Sequence, residues 1–316
     1  MDVRHMRYFL EIVERGSITG AAQSLNVAQP ALSLHVKNME EQLGTRLLVR
    51  SRSGTVPTQA GALLARRART ILDDLARTED DIRTLDRDPS GLVRIGLPGT
   101  IGGIVALPLL EAVRDAYPGI RLNIVEGMSG FISGWLAEGR VDLAVLYNKA
   151  STRDLASELL LEEELVVLWR GGLECLPEMS LSGLRGVPLV LPSAEHGLRI
   201  QIEAVLRETG FAPNVAVEID SYANIKRLVA SGFGASILPL NTVRDEVRAG
   251  GLAVSRITGP GLWRSVHLVQ PAAGPGSRAQ EAVRALLQDT VPGLVARGEW
   301  TGARLPDMGQ GTSGFP

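Results

Sequence analysis

The sequence predicts an α+β chain in three parts: a winged helix-turn-helix head, a long linker helix, and a two-lobed α/β domain. Three observations carry that prediction. Residues 17–61 hold a helix–turn–helix pattern followed by two short strands around a basic turn. Residues 58–87 repeat apolar positions at spacings of four and three. From residue 92 onward, strand and helix patterns alternate. The expected boundaries are 1–60 for the head, 61–90 for the linker helix and its hinge, and 91–295 for the lobes. Lobe I takes 91–162 and 265–295, lobe II takes 163–264, and 296–316 is expected to be a disordered tail.

In the head, Ser17 suits the N-cap of a short helix, Ala21 and Ala22 allow a second helix to cross closely, and Asn26 tolerates the turn conformation. Pro30 falls in the first turn of the next helix, where its missing N–H costs nothing. There Leu32, Val36, Met39 and Leu43 form one apolar stripe facing the core. Gln29, Ser33, Leu34, Lys37 and Asn38 lie on the other face, the mix of short polar groups and a cation that a helix in a DNA major groove requires. Leu47–Arg50 and Val56–Thr58 then flank Ser51-Arg52-Ser53-Gly54-Thr55, a wing whose Arg50 and Arg52 can reach phosphates or a narrow minor groove. Gln29 and Ser33 are the direct-readout residues, Pro30 packs on sugar or a thymine methyl, and Leu34 reads only by apolar contact. His35 has two readings, a phosphate or base contact and a plain surface histidine.

Tyr8-Phe9, Gly16 through Ala22, Ala28 through Ser33, Met39-Glu40, Leu43-Gly44, Leu47 through Arg50 and Pro57 through Gly61 together resemble the N-terminus of the LysR-type transcriptional regulators. The resemblance is dense over the first 61 residues and looser to about residue 290. Ala28-Gln29-Pro30 and the run from Ser90 to Thr100 resemble the branch that contains the nitrogen-assimilation control protein. The family implies a bacterial, DNA-binding homo-oligomer, dimer or tetramer, on inverted-repeat operators. It further implies a two-lobed effector domain of the periplasmic-binding-protein type, a small organic effector in its cleft, and RNA polymerase as a further partner. In the nitrogen-control branch, regulation without any effector is the alternative.

The linker helix is capped by Thr58, and its seam runs through Leu64, Ala68, Ile71, Leu75, Thr78, Ile82 and Leu85. Leu64, Ile71, Leu75 and Ile82 are the expected dimer contacts, a use that the resemblance supports; a helix lying on its own domain is the competing reading. Arg66, Arg67 and Arg69 lie near the wing, with Asp73, Asp74, Glu79, Asp80 and Asp81 beyond. Asp86 through Gly91 breaks the helix as a hinge.

In the lobes, strands are expected at 92–97, 121–126, 143–147, 165–169, 187–191, 215–219, 235–238 and 266–269, mostly parallel. Helices are expected at 101–117, 130–139, 197–209, 222–231 and 277–290, and Leu161-Glu162-Glu163-Glu164 reads as a solvated crossing between lobes. Ligands of such sheets gather at the carboxyl ends of strands. That selects Thr100, Ser129, Tyr147, Asn148, Ser193 and His196 as effector contacts, with the hydroxyls of Thr100, Ser129 and Ser193 also able to cap helices. Asp220-Ser221-Tyr222 is a weaker approach from lobe II. No turn supplies an Arg or Lys for an acidic effector, although Arg199 lies close to His196.

The formal net charge of −2 excludes a bulk polyanion binder, so any DNA contact is a local patch. One cysteine, Cys175, excludes an internal disulfide and a multi-cysteine metal site, and the four histidines lack ligand spacing. No cofactor, metal or catalytic residue is expected. Gly96 through Gly102 only loosely resembles a phosphate loop. No leader or membrane span is visible, which predicts a cytoplasmic protein. The rival reading is a small-molecule-binding protein or enzyme on a solute-binding fold. Steep salt dependence of DNA binding separates the two.

Overall fold

The computed structural model describes residues 1–306 apart from 52–53, 84–87, 151, 153, 260 and 273–275, and only the backbone of residues 77, 80, 81 and 83. Arg52 of the wing, Leu85 of the seam, Asp86-Arg87 of the hinge, the side chains of Asp80 and Asp81, and the tail from 307 lie outside the described residues.

The head begins with α1 (Val3–Arg15), whose N-terminus Asp2 caps through Oδ1 on the His5 N–H at 2.9 Å. Gly16, at φ 60°, ends it in the left-handed conformation. In α2 (Ile18–Ser24) the Ser17 hydroxyl accepts from the Gly20 N–H, and Asn26 takes φ 52° in the turn that follows. Next comes α3 (Gln29–Leu43), with Pro30 in its first turn and Leu32, Val36 and Met39 buried. Leu43 departs from the expected stripe, being 44% exposed. By its last residue α3 has run past the small core built on Phe9, Ile12 and Ala21. The wing is β1 (Leu48–Ser51) paired antiparallel with β2 (Gly54–Pro57), and the Thr55 N–H donates to Gly16 O, tying it to the α1–α2 corner.

Thr58 caps α4 (Gln59–Arg83), its hydroxyl accepting from the Gly61 N–H at 3.0 Å. Only glycine fits at 61, because a Cβ there would stand 2.0 Å from Leu47 O. The seam divides along the helix. Leu64, Ala65, Ala68 and Leu72 pack into the head's own core, whereas Ile71, Leu75 and Ile82 remain exposed. Leu64 is therefore a contact within the head, because α1 lies against the first half of α4. Arg69 is also held there, on Glu14 at 3.0 Å.

Beyond the hinge come β3 (Gly91–Leu97), α5 (Gly99–Ala116), β4 (Ile120–Glu126), α6 (Ser129–Ala137), β5 (Leu143–Tyr147) and β6 (Leu155–Arg170). They are followed by β7 (Glu178–Met179), β8 (Pro188–Leu191), α7 (Gly197–Glu208), β9 (Asn214–Glu218), α8 (Tyr222–Ala230) and β10 (Ser236–Pro239). The chain closes with α9 (Leu240–Arg248), β11 (Leu252–Ile257), β12 (Leu262–Pro271), α10 (Arg278–Ala296) and β13 (Ala303–Arg304). The main sheet runs β4-β3-β5-β12-β6-β11-β7, with β10 and β13 also on β6.

Two expectations change here. The sheets are mixed, since β6 pairs antiparallel with β10, β11, β12 and β13, while β3 with β4 and β5, β8 with β9, and β7 with β11 are parallel. The crossing is no solvated hinge either. β6 runs unbroken through Glu162-Glu163-Glu164, with Leu160 and Leu161 in the lobe I core and Leu165 to Leu168 in the lobe II core. Its partner β12 does the same, Leu262 facing lobe II and Val266 and Leu268 facing lobe I. Glu163 and Glu164 are buried. Held between two cores, Glu163 and Glu164 have nowhere solvated to go and each requires a partner, whereas Glu162 stays partly exposed.

The tail expected to be disordered from 296 is ordered through 306. Trp300 lies fully inside the lobe I core, and β13 pairs with β6 at Glu162 and Glu163. At the opposite end of the lobes, Arg94 of β3 hydrogen-bonds both oxygens of Asp142 and reaches Asp73 of α4 at 2.7 Å. Burial opposes the charge on Arg94, but the two carboxylates outweigh it and hold its pKa above the ordinary value. The linker helix is thereby pinned to lobe I.

Candidate nucleic-acid interface and interlobe cleft

On α3 the expected reading residues share one exposed ridge. Gln29 and Pro30 are exposed, Ser33 half-buried, and Leu34 56% exposed. The Gln29 Nε2 donates to the Ser33 hydroxyl at 3.0 Å, one turn further along. That bond leaves Gln29 Oε1 and the second amide hydrogen free to point outward as an acceptor–donor pair. Lys37 is exposed and reaches Glu41 at 3.5 Å, a surface pair too weak to hold the ammonium from a phosphate. Arg50 is exposed on β1. Beside the start of α3 lies an open hollow of about 530 Å³ lined by Thr19, Gln23, Asn26 and Gln29.

His35 follows neither of its two readings. Its Nδ1 lies 3.0 Å from His5 Nε2, and its ring packs on Tyr8, so it fastens α3 to α1 from the inner side. Arg46, exposed just before the wing, is a cation that the motif reading passed over.

In the cleft, three of the lobe I residues meet. The Thr100 and Tyr147 hydroxyls are 2.6 Å apart, and the Ser129 hydroxyl accepts from the Tyr147 N–H at 3.4 Å. Asn148 adopts φ 63° at the rim, its N–H donating to Ser265 O. Contrary to the capping role that the sequence suggests, the hydroxyls of Thr100, Ser129 and Ser193 do not cap helices. Pro98 precedes α5 and Met128 precedes α6 without side-chain caps, and α7 is capped by His196 Nδ1 accepting from the Leu198 N–H. Ser193 instead donates through its N–H and hydroxyl to Asp220 Oδ1, and these bonds hold the Asp220 carboxyl below the usual range.

Arg199, close to His196 in sequence, does not enter the cleft. It is a buried residue of α7 itself, held by Glu203, Glu218 and Pro192 O. Arg264 of β12 takes that place. Its guanidinium lies 3.3 Å over the Tyr147 ring and 3.4 Å from the Tyr222 hydroxyl, so it touches both lobes. Glu163 accepts from both its Nε, at 2.9 Å, and its Nη2. Burial opposes its charge, but Tyr147, Glu163 and Tyr222 around it hold its pKa above the ordinary value. Burial also drives the Tyr147 phenol well above its ordinary pKa, with Glu163 adding to it and Arg264 and the Thr100 bond opposing. Tyr147 is therefore a neutral hydroxyl, able both to donate and to accept. His196, beside Tyr222, is pushed down by burial and by Arg264, with Asp220 opposing.

Comparison with known proteins decides what carries these two sites. Residues 3–62 match the bacterial regulatory helix-turn-helix model of the lysR family, and residues 86–292 match the LysR substrate binding domain. The chain belongs to the LysR family. The nitrogen assimilation regulatory protein nac of Escherichia coli is 32% identical over 293 residues, spanning 92% of this chain and 95% of that protein. Its counterpart from Klebsiella aerogenes is 31% identical over the same shares. Among solved structures, a full-length OxyR variant from Pseudomonas aeruginosa superposes with a TM-score of 0.74 at 23% identity, over 98% of this chain and 99% of that one. HinK, a LysR family transcriptional regulator from the same organism, superposes at 0.60 with 25% identity, over 92% of this chain and 98% of that one.

Within this LysR chain, sequence reasoning brought Thr100, Ser129 and Tyr147 together and missed Arg264, Glu163, Tyr222 as a direct cleft contact, and Trp300. The available signal was the acidic run itself. Apolar residues continue on both sides of Glu162-Glu163-Glu164, which marks one continuous strand with acids embedded in it and calls for a buried cation opposite.

Proposed function

We propose that this LysR-family regulator reads an inverted-repeat operator through α3, with Gln29 and Ser33 on base edges, Pro30 and Leu34 on apolar base or sugar surface, and Lys37, Arg50 and Arg52 on the backbone. The observation that carries this reading is the exposed Gln29–Ser33 ridge of α3 beside the Arg50 wing, in a chain whose first 62 residues match the family's DNA-reading model. Two or four copies act together, pairing through the exposed Ile71, Leu75 and Ile82 face of α4. Recognition helices of a pair then meet successive major grooves about 34–36 Å apart. The protein works in the cytoplasm, with RNA polymerase as a further partner, and catalyses no reaction. Among the described residues no helix is long and apolar enough to cross a membrane. Fluorescence anisotropy on the DNA upstream of its own gene, across a salt series and against a scrambled duplex, tests it. Preferential binding that weakens steeply with salt supports the reading, and equal weak binding to both duplexes counts against it.

A small polar effector at Thr100, Ser129, Tyr147, Asn148, Ser193 and His196 would modulate that binding. A second reading is favoured by one observation: the cleft's cation, Arg264, is already matched by Glu163. On that reading the regulator acts without an effector, and its abundance sets its output. Thr100→Val with Ser129→Ala separates the two in a reporter assay, changing transcription only where an effector is used.

A further inference from the structure

The segment that follows α10 touches both lobes and the crossing between them. Trp300 is buried in the lobe I core, and its backbone N–H donates to Leu294 O at 3.3 Å. One residue on, the Thr301 N–H donates to Asn241 Oδ1 of α9 in lobe II at 2.9 Å, and Gly302 packs so closely on Leu240 that a Cβ would stand 3.0 Å from it. Arg244 of α9 reaches back to Glu299 O. The segment is also sewn to the crossing itself. The Glu164 N–H donates to Gly302 O at 2.7 Å, and β13 pairs Ala303 with Glu163 and Arg304 with Glu162. Arg304 is bonded to Glu162 at 2.9 Å and stacks over Trp263 at 3.9 Å, gripping both crossing strands.

We infer that residues 297–306 form a strap that fixes the angle between the lobes and couples it to the cleft. Bending β6 against β12 would have to break the strap's hold on α9 or on Trp300. The coupling to the cleft runs through one carboxylate. Trp300 Nε1 donates to Glu163 Oε2 at 3.3 Å, while the other Glu163 oxygen holds Arg264, which touches Tyr147 in lobe I and Tyr222 in lobe II. Trp300 is thus a positioning residue for the Arg264–Glu163 pair. The inference concerns the two-lobed domain alone and stands whether or not the DNA reading above holds.

The test is the interlobe distance, measured by pulsed electron spin resonance on the full chain. Spin labels go on Glu111→Cys in α5 and Glu208→Cys in α7, with Cys175→Ser removing the native thiol. Labelled chains are diluted into unlabelled ones so that only distances within one chain register. Asn241→Ala with Arg244→Ala cuts the lobe II end of the strap without touching the lobe I core. Arg304→Ala, on the surface, cuts the other end. Both are expected to shift the distances longer and broaden their distribution, with circular dichroism unchanged. An unshifted distribution in both variants would overturn the inference and leave the segment as core packing of lobe I. Trp300→Phe keeps an aromatic ring, smaller than the indole, and loses the donor. If it lowers thermal stability while leaving the Tyr147 and Tyr222 ring resonances in place, the coupling through Glu163 is wrong.

Discussion

Arg264 and Glu163 stand directly opposite each other on β12 and β6, both almost wholly buried, in the stretch where those strands pass from one lobe to the other. A buried pair of this kind is not strong evidence of net stability, because desolvation offsets most of the attraction; removing one partner is what costs. Glu163→Gln is expected to destabilise the domain by about 3–5 kcal/mol, since it leaves the guanidinium charged and unmatched. Replacing both, as Arg264→Met with Glu163→Leu, should recover most of that loss. Urea unfolding of the three proteins checks it, and a double variant as unstable as the single one would show that the pair contributes more than charge matching.

The ridge on α3 and the wing should fail in different ways. Gln29→Ala or Ser33→Ala is expected to cost roughly 1–3 kcal/mol on the operator and much less on a scrambled duplex, because base contacts carry sequence information. Arg50→Ala should weaken both duplexes alike and reduce the slope of log affinity against log salt by about 1. Titrations at several salt concentrations separate the two patterns. Equal losses for all three variants would mean that the ridge is not a reading face.

The two halves of the α4 seam also make distinct predictions. Ile71, Leu75 and Ile82 are exposed at spacings of four and seven, one face of the helix. Leu75→Lys with Ile82→Lys is expected to shift sedimentation toward the monomer and leave head stability unchanged. Leu64→Ala should do the reverse, lowering head stability through its contacts with the head's own core and leaving the assembly intact. A monomer from Leu64→Ala, or an intact oligomer from the double lysine variant, would move the contact to another surface.

His196 and His267 predict how stability varies with acidity. Burial pushes both below the ordinary histidine value, helped by Arg264 and opposed by Asp220 at His196, and helped by Lys149 at His267. Below about pH 6.5 the unfolded chain takes up protons at these positions before the folded chain does. Their stabilising effect is therefore present above that pH and lost as pH falls toward the depressed folded values. His196→Asn keeps a capping side chain on α7 and removes one titration. Urea midpoints measured from about pH 7 to about pH 5 should fall less steeply in that variant. A profile parallel to the parent's would assign the acid sensitivity elsewhere.

The head was readable because its signals are local. Ser17, Asn26, Pro30 and Thr58 act within a few residues of where they stand, and each does what its chemistry suggests. Leu43 was misplaced because periodicity says which face is apolar and not how far along a helix the core extends. Thr100, Ser129 and Tyr147 were legible from the rule that strand ends gather in α/β sheets. Arg264 was not, since its role depends on Glu163, 101 residues earlier, and neither shows a pattern alone. Trp300 was hidden by Gly and polar neighbours that read as a loose tail. A lone tryptophan in such a stretch is itself a mark of something packed.

The contact between Asp73 and Arg94 turns α4 into a lever. At about 1.5 Å per residue the helix is a rod of roughly 37 Å, and Asp73 lies about 21 Å from its start. Pinned there, the rod has a fulcrum, with the head rigidly attached to its longer arm and the Ile82 end on the shorter. A sideways push on the short arm swings α3 and the wing the opposite way, magnified by about 1.3, the ratio of the arms. The spacing of two DNA-reading helices can thus be geared by a somewhat smaller displacement at the far ends of their rods.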